Sequence, residues 1–193
     1  MISRVVSFCK RQPLVAILAL ALLLRLSAVW NSTGYLMHDD HFLVVETAAS
    51  WAVGEDYNQW LPSAQLAAGI ENPTPHQANL AYPGVVWMVF KGFHAIGIEH
   101  PATQMLLMRL LHALYSLLIV YFGYCIALRL SDRRAAIWSG LALAGLALLP
   151  NLSVRQLVEV ICIPPLMWST WAIIRTDINR RTVGTYLLAG VGL

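Results

Sequence analysis

LVAILALALLLRLSAVW, residues 14–30, decides the class of fold. Arg25 is its one charged side chain, and the run is close to the roughly 20 residues that an α-helix needs to cross a hydrocarbon core. Arg4, Lys10 and Arg11 precede it, as basic residues precede a secretory signal. The run is longer than a signal's apolar region and lacks a small-residue cleavage site, so Leu14–Trp30 reads as a retained membrane helix.

The remainder of the 193-residue chain agrees. It is 58% hydrophobic and 12% charged, whereas soluble domains carry about 25% charged residues. A net charge of +3, scattered and without a basic stripe, argues against nucleic acid as a partner. Cys9, Cys125 and Cys162 are far apart, with no CxxC and no His at ligand spacing. Neither a disulfide framework nor a zinc site follows from them.

Further spans are expected at about 104–130, 135–150 and 157–174, the last kinked by Pro164-Pro165. Another apolar run begins at Val183 and stops at Leu193, about half of the roughly 20 residues a crossing takes. Residues 1–193 therefore read as the N-terminal part of one transmembrane domain in a longer, all-α, polytopic membrane protein. Between the first two spans, residues 31–103 form a long loop. Its apolar segment Tyr82–Ile98 is short, begins at Pro83-Gly84, and carries Lys91 and His94 one turn apart, which fits a helix lying in the membrane interface.

Charge sets the expected orientation. Arg4, Lys10 and Arg11, then Arg129, Arg133 and Arg134, then Arg175, Arg180 and Arg181 fall in alternate connections. The positive-inside rule makes that side cytoplasmic. The 31–103 loop, with Asp39, Asp40, Glu46, Glu55, Asp56, Glu71 and Glu99 against Lys91, then faces outward. The expected setting is a bacterial inner membrane with the loop in the periplasm, or alternatively the endoplasmic reticulum with the loop in the lumen.

The candidate chemistry lies in that loop and just below it. Met37-His38-Asp39-Asp40-His41-Phe42 follows the first helix, with Glu46 seven residues after Asp39 and so, on a regular helix, on its face. A simple reading makes Asp39 and Asp40 a helix cap and first turn. The density of titratable groups exceeds what one cap needs, and a carboxylate at an apolar surface gains basicity by desolvation, which suits a general base. His38 and His41 are within reach of a single metal ion, but their spacing is weak support, and no metal or other cofactor is expected.

Arginines supply the second half. Arg25 near the outer end of the first helix, Arg109 at the outer end of the second with His112 a turn deeper, and Arg155 outside the third converge at one depth. Glu159 lies one turn after Arg155. Any one of them would be explained by snorkelling to headgroups. Three at one level suggest a shared site for a phosphate group, which arginine binds with two parallel hydrogen bonds.

An Arg late in the first membrane helix, an acidic pair opening a long outward loop, and an interfacial segment with aromatic-Pro-Gly together resemble the GT-C superfamily of polyprenyl-phosphate-dependent glycosyltransferases. His38-Asp39-Asp40-His41-Phe42, with Glu46 and Ala48, is similar to the HPDE-type motif of dolichyl-phosphate-mannose mannosyltransferases of the GPI and ALG type. Arg25 with Asp39-Asp40 is also similar to the pattern of protein O-mannosyltransferases and aminoarabinose transferases. The chain departs from the first group in having Asp40 where Glu is frequent and His38 where Pro is usual.

The resemblance implies a GT-C-like bundle whose first outward loop carries interfacial helices. It implies a polyprenyl- or dolichyl-phosphate-linked sugar as donor and a glycan, lipid or protein hydroxyl as acceptor. Asp39 and Asp40 would be catalytic, with Asp39 as base. Arg25, Arg109 and Arg155 would bind the donor phosphate, and His38, His41, Glu46 and Glu159 would support them. Two other classes remain open: a transporter fragment with Arg25 and Arg109 lining a path, and a membrane scaffold whose loop binds a partner.

Overall fold

Helices account for all the regular structure that the computed structural model contains among the described residues, which are 11–34, 36–74, 80–176 and 182–190. Arg4, Lys10, Arg180 and Arg181, on which part of the orientation reading rests, lie outside them. Three helices are long and apolar enough to cross a membrane: Pro13–Asn31, Pro101–Leu130 and Val158–Arg175. They match three of the expected spans.

The first helix, α1 (Pro13–Asn31), opens with proline in its first turn, where a missing N–H costs nothing. Nineteen residues make it about 28 Å long at 1.5 Å per residue. Val15, Leu20, Leu23, Leu26 and Trp30 remain exposed along it, a pattern suited to lipid rather than water.

The chain divides into two compact units, Gly34–Leu107 and the remainder. In the second of these, α1 packs with α7 (Leu117–Leu130) and α8 (Arg133–Gly145). Ile17, Ala21, Val120, Tyr124, Ala136 and Ala144 form the buried centre of that trio. Small residues allow the approach: a Cβ on Gly140 would meet Ile17 at 3.2 Å and Tyr124 at 3.3 Å. The preceding segment, α6 (Pro101–Tyr115), runs into α7 through an interruption at Ser116.

The expected span at 135–150 is not one helix. Asp132 caps α8, its carboxylate accepting from the Ala135 N–H at 2.8 Å, and the helix stops at Leu146, which is extended. A short α9 (Leu148–Leu152) follows. Pro150 explains the position of the break. In a continuous helix its ring would strike the carbonyl four residues back, that of Leu146.

Val158–Arg175 (α10) instead runs through both of its prolines. Pro165 has no N–H for the Ile161 carbonyl, and the Tyr115 hydroxyl takes that role at 2.9 Å. Beyond it, α11 (Val183–Gly190) packs on α10, where the Ser169 hydroxyl reaches the carbonyls of Ala189 at 2.7 Å and Pro165 at 2.9 Å. At the basic end, Arg129 donates to the Ile174 carbonyl at 3.1 Å and Arg175 lies 4.6 Å over the Trp171 ring. Two of the three basic groups thus share one end of this unit.

Within Gly34–Leu107, α2 (His38–Asp40), a π-turn (His41–Glu46) and α3 (Thr47–Ala52) form one winding path. The π-turn and α3 pack against α5 (Ala81–Ala95) through Val44, Val45, Ala48, Ala52, Val86 and Phe90. In sequence, α4 (Pro62–Ala67) comes between α3 and α5. The expected interfacial segment is α5, with Pro83 tolerated in its first turn and Val85, Trp87 and Met88 exposed beside Lys91.

Candidate functional site

The acidic segment departs from the simple cap. Met37 is the N-cap of α2, and no side chain closes the cap. Asp39 and Asp40 sit in the first turn, where the helix dipole favours negative charge. The Asp39 side chain is 89% exposed and 3.6 Å from His38 Nδ1, so its own unit does not supply the desolvation expected for it. The His38 ring lies 4.5 Å from that of Phe42, which His41 meets edge-on at 5.1 Å.

Glu46 pairs with His41 rather than following the helical count from Asp39. The π-turn winds more widely, bringing positions five apart over one another, and His41 Nε2 lies 3.1 Å from Glu46 Oε1. This turn is held from outside. The Phe42 carbonyl accepts from the Tyr57 hydroxyl at 2.7 Å and from the Thr47 hydroxyl at 3.1 Å. Asn58 in turn donates to Thr47 Oγ1 at 2.8 Å. Thr47, Tyr57 and Asn58 were not legible as site residues, because they act directly or through one another on a single backbone carbonyl and leave no periodic signature. Among the described residues, no group of three His, Cys, Asp or Glu could hold a metal ion.

The other unit contains a buried polar seam. Arg109, His112 and Ser116 are spaced i, i+3 and i+7, so they share one face of α6. Arg109 Nη1 donates to the carbonyl of Ser32, the residue that ends α1. Arg155 donates through both Nη1 and Nη2 to the next carbonyl, that of Thr33, at 3.4 Å each. His112 bonds the main chain of Arg155, and the two guanidinium groups are near enough for their like charges to interact.

Part of this arrangement is structural, since cations at the end of a helix complement its dipole and its last carbonyls. Each guanidinium carries five N–H donors in a rigid fork, the geometry that matches a phosphate. Burial pulls the Arg155 guanidinium below its ordinary pKa by desolvation. Beside it, Gln156 is 7% exposed, and its Nε2 is buried without an acceptor among the described residues. Such a buried orphan donor calls for a partner, a water molecule or a ligand.

Arg25 does not join that pair at the surface. It is fully buried in α1, donating from Nε to Ser116 Oγ at 2.8 Å, from Nη1 to the Ala21 carbonyl at 3.3 Å and from Nη2 to the Leu143 carbonyl at 3.5 Å. The expected upward snorkelling is replaced by inward bonding, because Ser116 offers an acceptor within the helix bundle. Glu159 is exposed in the first turn of α10 and makes no ion pair among the described residues. No family model, no curated protein and no solved structure matches the chain.

Proposed function

We propose that the chain belongs to an integral membrane glycosyltransferase of the GT-C type, moving a sugar from a polyprenyl-phosphate donor to an acceptor hydroxyl on the extracytoplasmic face. The observation that carries this reading is the gathering of donors around the two carbonyls just past α1. Arg109 and Arg155 bond to the consecutive carbonyls of Ser32 and Thr33, which brings two guanidinium groups together. Charge-assisted donors in a partly dehydrated setting suit a phosphate, which accepts several hydrogen bonds at once.

The donor phosphate is held by Arg109 and Arg155 in this reading, and an apolar polyprenyl chain suits the lipid around the spans. A carboxylate of the 39–46 segment removes the acceptor's hydroxyl proton as that oxygen attacks the anomeric carbon. The carbon–oxygen bond to phosphate breaks, and the lipid phosphate leaves with the electron pair. Asp39 is the first choice for the base from the motif, and Asp40 its companion. The sugar is a mannose-like hexose or a pentose, and the donor being lipid-linked accords with the absence of a Gly-rich nucleotide loop from the sequence.

The test is transfer from radiolabelled mannosyl-phosphoryl-undecaprenol by the purified full-length protein in vesicles. A general base contributes about 10²–10⁴-fold in rate, so Asp39→Asn should lose activity on that scale while still inserting normally. Asp40→Asn should lose less. Full transfer by the double variant would sink Asp39 and Asp40 as the catalytic pair, and no transfer by the wild type would sink the enzyme reading. A transporter remains the second reading because Arg25 is buried inside a helix long enough to span. Uptake of a solute into sealed vesicles, without cleavage of the lipid donor, would favour it.

A further inference from the structure

Arg25 is a buried cation that no carboxylate pairs with among the described residues. A charge held this way inside an apolar helix is costly unless its donors are satisfied and its presence serves a purpose. Its best bond goes to Ser116 Oγ, at 2.8 Å. That hydroxyl is used twice. It accepts from Arg25 and donates to the Ala113 carbonyl three residues back, at 2.9 Å. A serine bonding back to its own helix often bends it, and Ser116 is where α6 and α7 are interrupted.

The residues above the interruption are those of the proposed phosphate site. His112 is one turn and Arg109 two turns before Ser116, on its face. The direction in which α6 leaves the interruption therefore sets where Arg109 and His112 meet Ser32 and Arg155. We propose that Arg25 is a positioning residue. Through Ser116 it fixes the junction between α6 and α7 and so aims Arg109 at the anion that Arg109 and Arg155 share. Its other donors tie the same junction to α8 through Leu143 and to its own helix through Ala21. This inference rests on the phosphate-site reading above.

Equilibrium binding of radiolabelled undecaprenyl phosphate to the full chain in nanodiscs tests both and separates them. Arg109→Ala probes the site itself and should weaken binding. Ser116→Ala removes the acceptor of Arg25 without touching charge, and Arg25→Lys keeps the charge but loses the fork. Each should raise Kd about 3- to 10-fold, the range that one hydrogen bond is worth, with the number of binding sites unchanged. Ser116→Thr, which retains the hydroxyl, should bind as the wild type does.

A merely structural role would lower the number of sites and leave Kd alone, and that result in Ser116→Ala overturns the proposal. An unchanged Kd in Ser116→Ala beside a raised one in Arg109→Ala overturns it too, while leaving the phosphate site standing. If Arg25→Lys fails to accumulate, the serine pair still decides. No binding by the wild-type chain sinks the phosphate site and the positioning role together.

Discussion

Residue by residue, the side chains divide by what holds them. Arg109 and Arg155 are fixed by the consecutive carbonyls of Ser32 and Thr33, just past α1, which preorganises the two guanidinium groups. A charge-assisted hydrogen bond is worth roughly 1.5–3 kcal/mol. Arg109→Ala should therefore raise the apparent KM for a lipid-phosphate donor by one to two orders of magnitude, measured by initial rates across donor concentration. Asp39 and Glu46 differ in the same respect. Asp39 stands exposed, whereas Glu46 is held 3.1 Å from His41 by a turn that Thr47 and Tyr57 brace. Tyr57→Phe removes one brace and should lower the rate of transfer without changing donor affinity, whichever carboxylate takes the proton. Equal loss of rate and affinity would assign Tyr57 to folding alone. The cluster at 38–46 was visible in the sequence because its residue types are rare in so apolar a chain. The pairing within it was not, since a π-turn has no sequence period of its own to announce it.

Helices here are stopped and rescued by proline. Pro150 ends α8 four residues ahead of itself, while α10 carries Pro164 and Pro165 in its interior. The difference is a partner: the Ile161 carbonyl that Pro165 leaves without an N–H receives the Tyr115 hydroxyl. Tyr115→Phe should cost about 1–3 kcal/mol for a buried acceptor left unsatisfied. In a Pro165→Ala background, where residue 165 has an N–H again, the same substitution should cost little. Thermal unfolding of the four proteins forms a double-mutant cycle, and additivity would refute the substitution of one donor for the other. Gly140 tests packing of the same bundle. Gly140→Val puts methyl groups where Ile17 and Tyr124 already stand, and should destabilise by about 1–3 kcal/mol through overpacking. Proline positions and apolar lengths were legible from the sequence. The segment expected as a span at 135–150 is broken into two helices because its apolar length was read without the steric reach of Pro150.

For the whole molecule, the expected orientation can be tested where the chain is exposed. Ser63 lies in α4 and Ser131 follows α7. In a cysteine-free background, Ser63→Cys should react with an impermeant thiol reagent applied from the outside and Ser131→Cys should not; the reverse would overturn the reading of an outward 31–103 loop. The sequence by itself determined that this chain is helical and apolar enough to enter a membrane, and roughly where three of its long helices run. Those are local properties: the length of an apolar run, a capping Asp132, a proline at a first turn. Only the tertiary structure decided where the polar groups inside those helices point. Arg25 and Ser116 are 91 positions apart, and the carbonyls that receive Arg109 and Arg155 belong to another helix's end. A side chain's hydrogen-bond partner in an apolar interior is chosen when helices pack, because an unsatisfied donor there costs far more than it does in water.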